Sequence, residues 1–327
     1  MMFTREMMEK QQTWLYVAAL LAGAWIGLTA PESGDVIHHA VSPILAVLLY
    51  SMFVQIPFLE LKASWMNLRF MSALIMVNFI VVPAVVWLLT LLFPQSPAVL
   101  IGVYLVLLTP CIDYVIVFTQ LGRGNERLML AATPVLFVVQ MLLLPVYLWL
   151  FLGVEAARMM QAGPFAEAFL FLIMIPLMLA VLTQLLSKKN ASGQRVLNAI
   201  AWLPVPMMAL ALTTVVASQI GKVYHDVGII LKVIPIYLAF LIIMPLLSRI
   251  IAKLFRLDTG AGRALIFSAA TRNSLVVLPL ALSLPAEWAA IAAAVIVTQT
   301  MVELVGELIY IRLVPNVILR EQKIEWR

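Results

Sequence analysis

Long apolar runs separated by short polar stretches set the plan of this chain. Ten runs are long enough for a crossing of ~20 residues, with tilt or a break in some. They cover residues 13–30, 36–56, 70–93, 98–120, 128–152, 166–187, 196–220, 229–254, 263–284 and 287–313. The polar stretches between them are short, so the pattern predicts an all-α integral membrane protein with one domain over residues 1–327. Pro204 and Pro206 interrupt the seventh run. In two runs the apolar pattern itself fails near the middle. The fourth holds Thr109-Pro110-Cys111-Ile112-Asp113-Tyr114, and the ninth holds Thr271-Arg272-Asn273-Ser274.

The first of these interruptions predicts a broken helix. Pro110 has no N–H, and its ring clashes with the preceding turn. It also pushes Thr109 out of the helical region. In a continuous helix residues two apart point to nearly opposite sides. Cys111 and Asp113 therefore share one site only if the backbone is locally unwound. The alternative is a proline-kinked helix with a buried thiol and a structural acid. The second interruption has no proline of its own, since Pro279 and Pro285 come later. Its break is inferred from polarity alone.

Charge gives an orientation and a symmetry. Of the 21 Lys and Arg residues, seventeen fall in stretches that alternate to one side, three (Arg158, Lys222, Lys232) fall on the other, and Arg272 lies inside the ninth run. Excess Lys and Arg marks cytoplasmic loops, so both termini are expected in the cytoplasm of a multi-pass protein of the cell inner (plasma) membrane. Ten spans then divide into two inverted five-helix repeats, about residues 13–152 and 166–313. That architecture gives alternating access, with sites built on broken helices near mid-membrane. It also makes span 9 the partner of span 4, so the two polar interruptions fall at equivalent places. The chain is 64% hydrophobic and 11% charged, against about 25% charged for a soluble domain. The formal net charge of +5 comes from the flanking loops and suggests the lipid bilayer as partner, not nucleic acid.

The polar residues at depth are the candidate chemistry. Arg272 is always protonated and costly when unpaired in a bilayer. Asp113, at the matching depth, is its expected partner; the alternative is that Arg272 pairs only with carbonyls of the broken helix. Cys111 is the only cysteine and a soft ligand. A single thiol gives weak, reversible contact, as a carrier needs. Glu303 and Glu307 lie four apart on one helical face. Glu303, near Gln299 and Thr300, is a proton-coupling candidate alongside Asp113, while Glu307 is expected at the cytoplasmic interface or against Arg312. Asn78, Thr133 and Gln140 are single polar residues in spans 3 and 5 of the kind that make interhelical hydrogen bonds. His38, His39 and His225 are spaced for no metal site. No cofactor is expected, and the absence of a phosphate loop or hydrolase constellation predicts that the chain is not an enzyme.

The chain resembles the bile acid:sodium symporter superfamily, and within it the arsenical-resistance branch of arsenite efflux carriers. The resemblance rests on Tyr50-Ser51-Met52-Phe53-Val54-Gln55-Ile56 with Leu59-Glu60-Leu61-Lys62, on Pro110-Cys111-Ile112 with Val117, Leu121 and Gly124, on Gln140, and on Asn273-Ser274. It implies a panel of spans 1, 2, 6 and 7 against a core of spans 3–5 and 8–10, with spans 4 and 9 crossing as broken helices. Cys111 matches the arsenite carriers' span 4 cysteine, and relatives use spans 3 and 5, which hold Asn78, Thr133 and Gln140, to complete ion sites. The substrate site is expected between spans 4 and 9, at Cys111, Asp113, Arg272, Asn273 and Ser274. Proline stands here where the arsenite carriers have arginine. The sodium symporters' span 9 acid and glutamine are replaced by Ser268 and Arg272, and the arsenite carriers' acid by Val276. Arg272 can thus stand as a built-in cation where relatives hold sodium, or dock an anionic substrate.

These readings predict a secondary active transporter exporting arsenite or a related small oxyacid by exchange with a proton rather than with sodium. A symporter of an organic anion, a small carboxylate or bile-acid-like molecule, is the alternative. A receptor or scaffold keeping the fold without transport is the third, against which the intramembrane charges count.

Overall fold

The computed structural model describes residues 5–30, 34–56, 58, 67–112, 114–159, 167, 169–188, 191–223 and 227–320. In chain order the helices are α1 (Arg5–Thr29), α2 (Gly34–Phe53), α3 (Leu68–Leu92), α4 (Pro97–Leu107), α5 (Val115–Leu121), α6 (Glu126–Met159) and α7 (Phe169–Ser187). They continue as α8 (Ala191–Ile200), α9 (Pro204–Val223), α10 (Val227–Leu254), α11 (Thr259–Ala270), α12 (Ser274–Leu282) and α13 (Ala286–Leu313). Among the described residues there is no strand, only an isolated antiparallel bridge between Pro110 and Arg272.

By length and apolarity, five segments qualify to cross a bilayer: Leu68–Leu92, Glu126–Gly153, Phe169–Ser187, Leu231–Leu254 and Trp288–Ile318. The pair Gly193–Ile200 and Pro204–Ser218, bent by 42°, makes a sixth. That bend lies just before Pro204, one of the two prolines that interrupt the seventh run. The predicted runs 4 and 9 fall short for a physical reason. Each is split, into α4 and α5 of 11 and 7 residues and α11 and α12 of 12 and 9 residues. At ~1.5 Å per residue none of these pieces spans a bilayer alone. The apolar parts of α1 and α2, Trp14–Thr29 and His39–Phe53, are also short.

Prolines shape the long helices too. Turns of π-helix occur at Val77–Val81, Phe169–Met174 and Val314–Ile318. Pro83 and Pro176 follow the first two within two residues, and Pro315 lies inside the third. A proline withholds one N–H and crowds the carbonyl four residues back, so the preceding turn widens. The first π turn carries Asn78.

Two groups of helices form. In one, α9 packs against α1 and α2, and α7 against α2 and α8. In the other, α13 packs against α4, α10 and α12, and α10 against α11. The first group holds predicted spans 1, 2, 6 and 7, as the resemblance implies for a panel. The α9–α13 contact joins the groups. Close approaches depend on missing side chains. A Cβ on Gly102 of α4 would lie 2.9 Å from Val295 of α13, and one on Gly23 of α1 would lie 2.6 Å from the Thr213 carbonyl of α9. Outward faces are as apolar as the core: Leu88, Leu142, Leu186, Ile242 and Leu246 are all exposed. That surface suits hydrocarbon as its solvent, not water.

Candidate functional site

The two interruptions cross each other and pair by their backbones. The Cys111 N–H donates to Thr271 O at 3.1 Å, and the Asn273 N–H donates to Thr109 O at 2.8 Å. Extended backbone in a membrane must satisfy its polar groups within the protein, and here each break satisfies the other. Pro110 faces Arg272 at the centre of the bridge, where its missing N–H loses nothing, because the pairing bonds come from its neighbours.

Side chains of the breaks finish the helix ends. The Thr109 hydroxyl lies 2.8 Å from Leu105 O and 3.1 Å from Val106 O at the close of α4. The Thr271 hydroxyl and N–H both reach Phe267 O at the close of α11, at 2.7 and 2.9 Å. Asn273 caps α12 by accepting from the Val276 N–H at 3.2 Å. The ninth run is therefore broken without a proline.

Arg272 is fully buried, and its guanidinium holds the end of α11. One terminal nitrogen donates to Ser268 O at 2.5 Å, Ala269 O at 2.8 Å and Asn78 Oδ1 at 2.7 Å. The other donates to Leu107 O at 3.3 Å, at the end of α4. The guanidinium carbon lies 5.7 Å from the centre of the Phe240 ring. A cation at a helix C-terminus meets the negative end of the dipole and the unsatisfied carbonyls together. Asn78 is fixed in turn, donating to Leu74 O at 3.1 Å and to the Ser268 hydroxyl at 3.0 Å. Asp113, the expected partner of Arg272, lies outside the described residues, as does His225.

Helix α13 lays two carboxyls against the crossing. Glu303 Oε2 accepts from the Arg272 N–H at 2.8 Å and from Gln299 Nε2 at 2.5 Å. Glu303 Oε1 accepts from the Tyr114 hydroxyl at 2.8 Å. Glu307 is fully buried, with Oε1 beside the Thr271 hydroxyl at 2.7 Å and Oε2 without a hydrogen-bond partner, so it is neither at the cytoplasmic interface nor hydrogen-bonded to Arg312, the two places its sequence position suggested.

The crossing thus gathers Cys111, Arg272, Asn273, Ser274, Asn78 and Glu303. Cys111 is a buried thiol. The Asn273 side-chain nitrogen and the Ser274 hydroxyl are buried without a hydrogen-bond partner, and so are both amide atoms of Gln140 on α6. No hydrogen bond links Gln140 to the crossing among the described residues. Thr133, also on α6, donates back to Leu130 O at 2.8 Å and lines a cavity. Tyr114, Gln299, Thr271 and Glu307 were given no part in the site by sequence reasoning. The signal for Tyr114 was present: a phenol four residues past the break proline needs an acceptor when buried.

A cavity of about 440 Å³ lies between α1, α2, α8 and α9 on one side and α5 and α6 on the other. Ile112 and Tyr114 form its wall at the crossing, and Gln12, Gln55 and Asn198 supply amides around it. Among the described residues no charged side chain lines it.

The family model described as the sodium bile acid symporter family matches residues 42–226, more than half of the chain. The chain belongs to the sodium bile acid symporter family. Together with the apolar helices, that makes it a multi-pass membrane transporter of a small-molecule substrate. No curated protein sequence matches the chain. The family match takes in the Pro110-Cys111 break and ends before α10, so the Arg272 half of the crossing lies beyond it.

Proposed function

We infer that this member of the family is a proton-coupled exporter of arsenite or a related small oxyacid, in the manner of the arsenical-resistance branch. The observation that carries the reading is the position of the only thiol. Cys111 sits in the backbone bridge between the two breaks, one residue from Ile112 in the wall of a cavity that no charged side chain lines among the described residues. Arsenite is neutral near physiological pH, and the amides and hydroxyls that line the cavity suit a neutral oxyacid. When the crossing loosens during the cycle, the thiol offers a soft, reversible ligand.

A second reading, transport of an organic anion, is favoured by the family's description. The Arg272 guanidinium counts against it. Its terminal nitrogens bond Asn78 and three carbonyls and only the buried Nε is without a partner, so a carboxylate could take a two-point fork only by displacing those bonds. The same engagement supports a proton as the coupling ion, because a tethered cation already stands among those oxygens. The reading includes ten spans in two inverted repeats, with spans 4 and 9 crossing at mid-membrane. It also includes both termini in the cytoplasm and residence in the inner (plasma) membrane.

Arsenite uptake into everted vesicles, with and without an imposed proton gradient, tests the proposal on the wild type and on Cys111→Ser. Gradient-driven uptake that the substitution abolishes is the expected result. Absence of uptake under every gradient would sink the arsenite reading, and Arg272→Gln would then be tested with carboxylates.

A further inference from the structure

Tyr114 meets more acceptors than it has protons. Its hydroxyl lies 2.9 Å from Arg272 O and 2.8 Å from Glu303 Oε1, yet it carries a single proton. If it donates to the carbonyl, the contact with Glu303 is a hydrogen bond only when Glu303 brings a proton of its own. Glu307 raises the same question by a different route. It is fully buried, its Oε1 meets the Thr271 hydroxyl, which also reaches Phe267 O, and its Oε2 has no hydrogen-bond partner. A carboxylate charge so poorly served inside a membrane is costly, whereas a neutral acid is not. Gln299 Oε1, beside Glu303, is also buried without a partner.

Among the described residues the neighbouring charges act on Glu303, which the Arg272 cation attracts without a side-chain bond, and leave Glu307 with only the repulsion of Glu303. From the α11–α12 break, Arg272 gives Glu303 its backbone N–H, while its guanidinium bonds Asn78 and carbonyls. From the α4–α5 break come Cys111 and Tyr114, with Asp113 outside the described residues. On α4 the Tyr104 hydroxyl pairs with Thr90 at 2.9 Å. On α10 the Tyr237 hydroxyl donates to Val295 O at 3.0 Å, and on α13 itself the Tyr310 hydroxyl donates to Leu241 O.

We propose that Glu303 and Glu307 are the proton-binding site of this carrier: both are protonated while the two breaks are paired, and Glu303 exchanges its proton with the cavity through Tyr114. Tyr114 is suited to that part because it lines the cavity and touches Glu303. The proton also acts as a latch. With Glu303 neutral, its O–H donates to the Tyr114 oxygen and the Tyr114 O–H donates to Arg272 O, tying one break to the other. When Glu303 gives its proton up, the Tyr114 O–H turns to the carboxylate and Arg272 O loses that donor. Deprotonation therefore weakens the crossing from the cavity side. Only the exchange step rests on the proton-coupled reading above; the occupancy of the two carboxyls does not.

Infrared spectra of the protein in lipid bilayers, recorded from acid to alkaline buffer, read protonated carboxyls directly. The wild type is expected to show protonated-carboxyl bands at neutral pH. One is lost in Glu303→Gln and the other in Glu307→Gln, and Glu303→Asp shifts its band while leaving the fold intact. In Tyr114→Phe the Glu303 band takes up deuterium from heavy water more slowly. Neutral-pH spectra without such a band, or bands unchanged in both Gln variants, would overturn the proposal. Adding arsenite to the same samples separates the two claims. Proton release on arsenite addition supports both, whereas assigned bands with no response to arsenite uphold the proton site and remove arsenite exchange.

Discussion

The two breaks at the crossing do the same job by different chemistry. In the first, Pro110 withholds an N–H and stops α4 by covalent necessity. In the second, no proline is present, and three consecutive side chains stop the helix. Thr271 returns to Phe267 O, Arg272 spreads over the Ser268 and Ala269 carbonyls, and Asn273 starts α12 as its cap. A helix can thus be ended by removing a donor or by supplying better partners to its terminal carbonyls. The second way costs a buried charge, so it makes the Arg272 side of the crossing the more fragile one.

That difference predicts an ordered set of effects on stability. Arg272→Gln should be the most damaging, at about 3–5 kcal/mol, because it strands Asn78 and the α11 carbonyls in a fully buried site. The loss should appear as a lower thermal unfolding midpoint of the detergent-purified protein, and an unchanged midpoint would show that α11 ends without the guanidinium. Asn273→Ala should cost about 1 kcal/mol, the worth of one cap, because its backbone bond to Thr109 O survives. Pro110→Ala should be mildest, within ~1 kcal/mol, since the pairing bonds belong to Cys111 and Asn273. If Pro110→Ala proved worse than Arg272→Gln in the same melting assay, proline and not pairing would hold the crossing.

The sequence showed the breaks because polarity inside a 20-residue apolar run is conspicuous. It also paired them, because the inverted division put them at equivalent places. The helix carrying Asn78 could be placed, but not the π turn that aims Asn78 at Arg272, because that depends on how the chain relieves Pro83. Glu303 stood out as an acid at depth. Its link to Tyr114 did not, because the two are 189 residues apart and meet only through the crossing. Glu307 was misplaced for a related reason: distance along α13 suggested an interface, whereas packing against Thr271 buries it. Gln140 was legible as a buried amide, yet the fold leaves it off the crossing.

Proton and arsenite fluxes measured together in sodium-free proteoliposomes test the central claim most directly. The account predicts that an inward arsenite flux is matched by an outward proton flux and that an imposed proton gradient drives arsenite uphill. Arsenite movement that required sodium, or that left the proton flux unchanged, would contradict it.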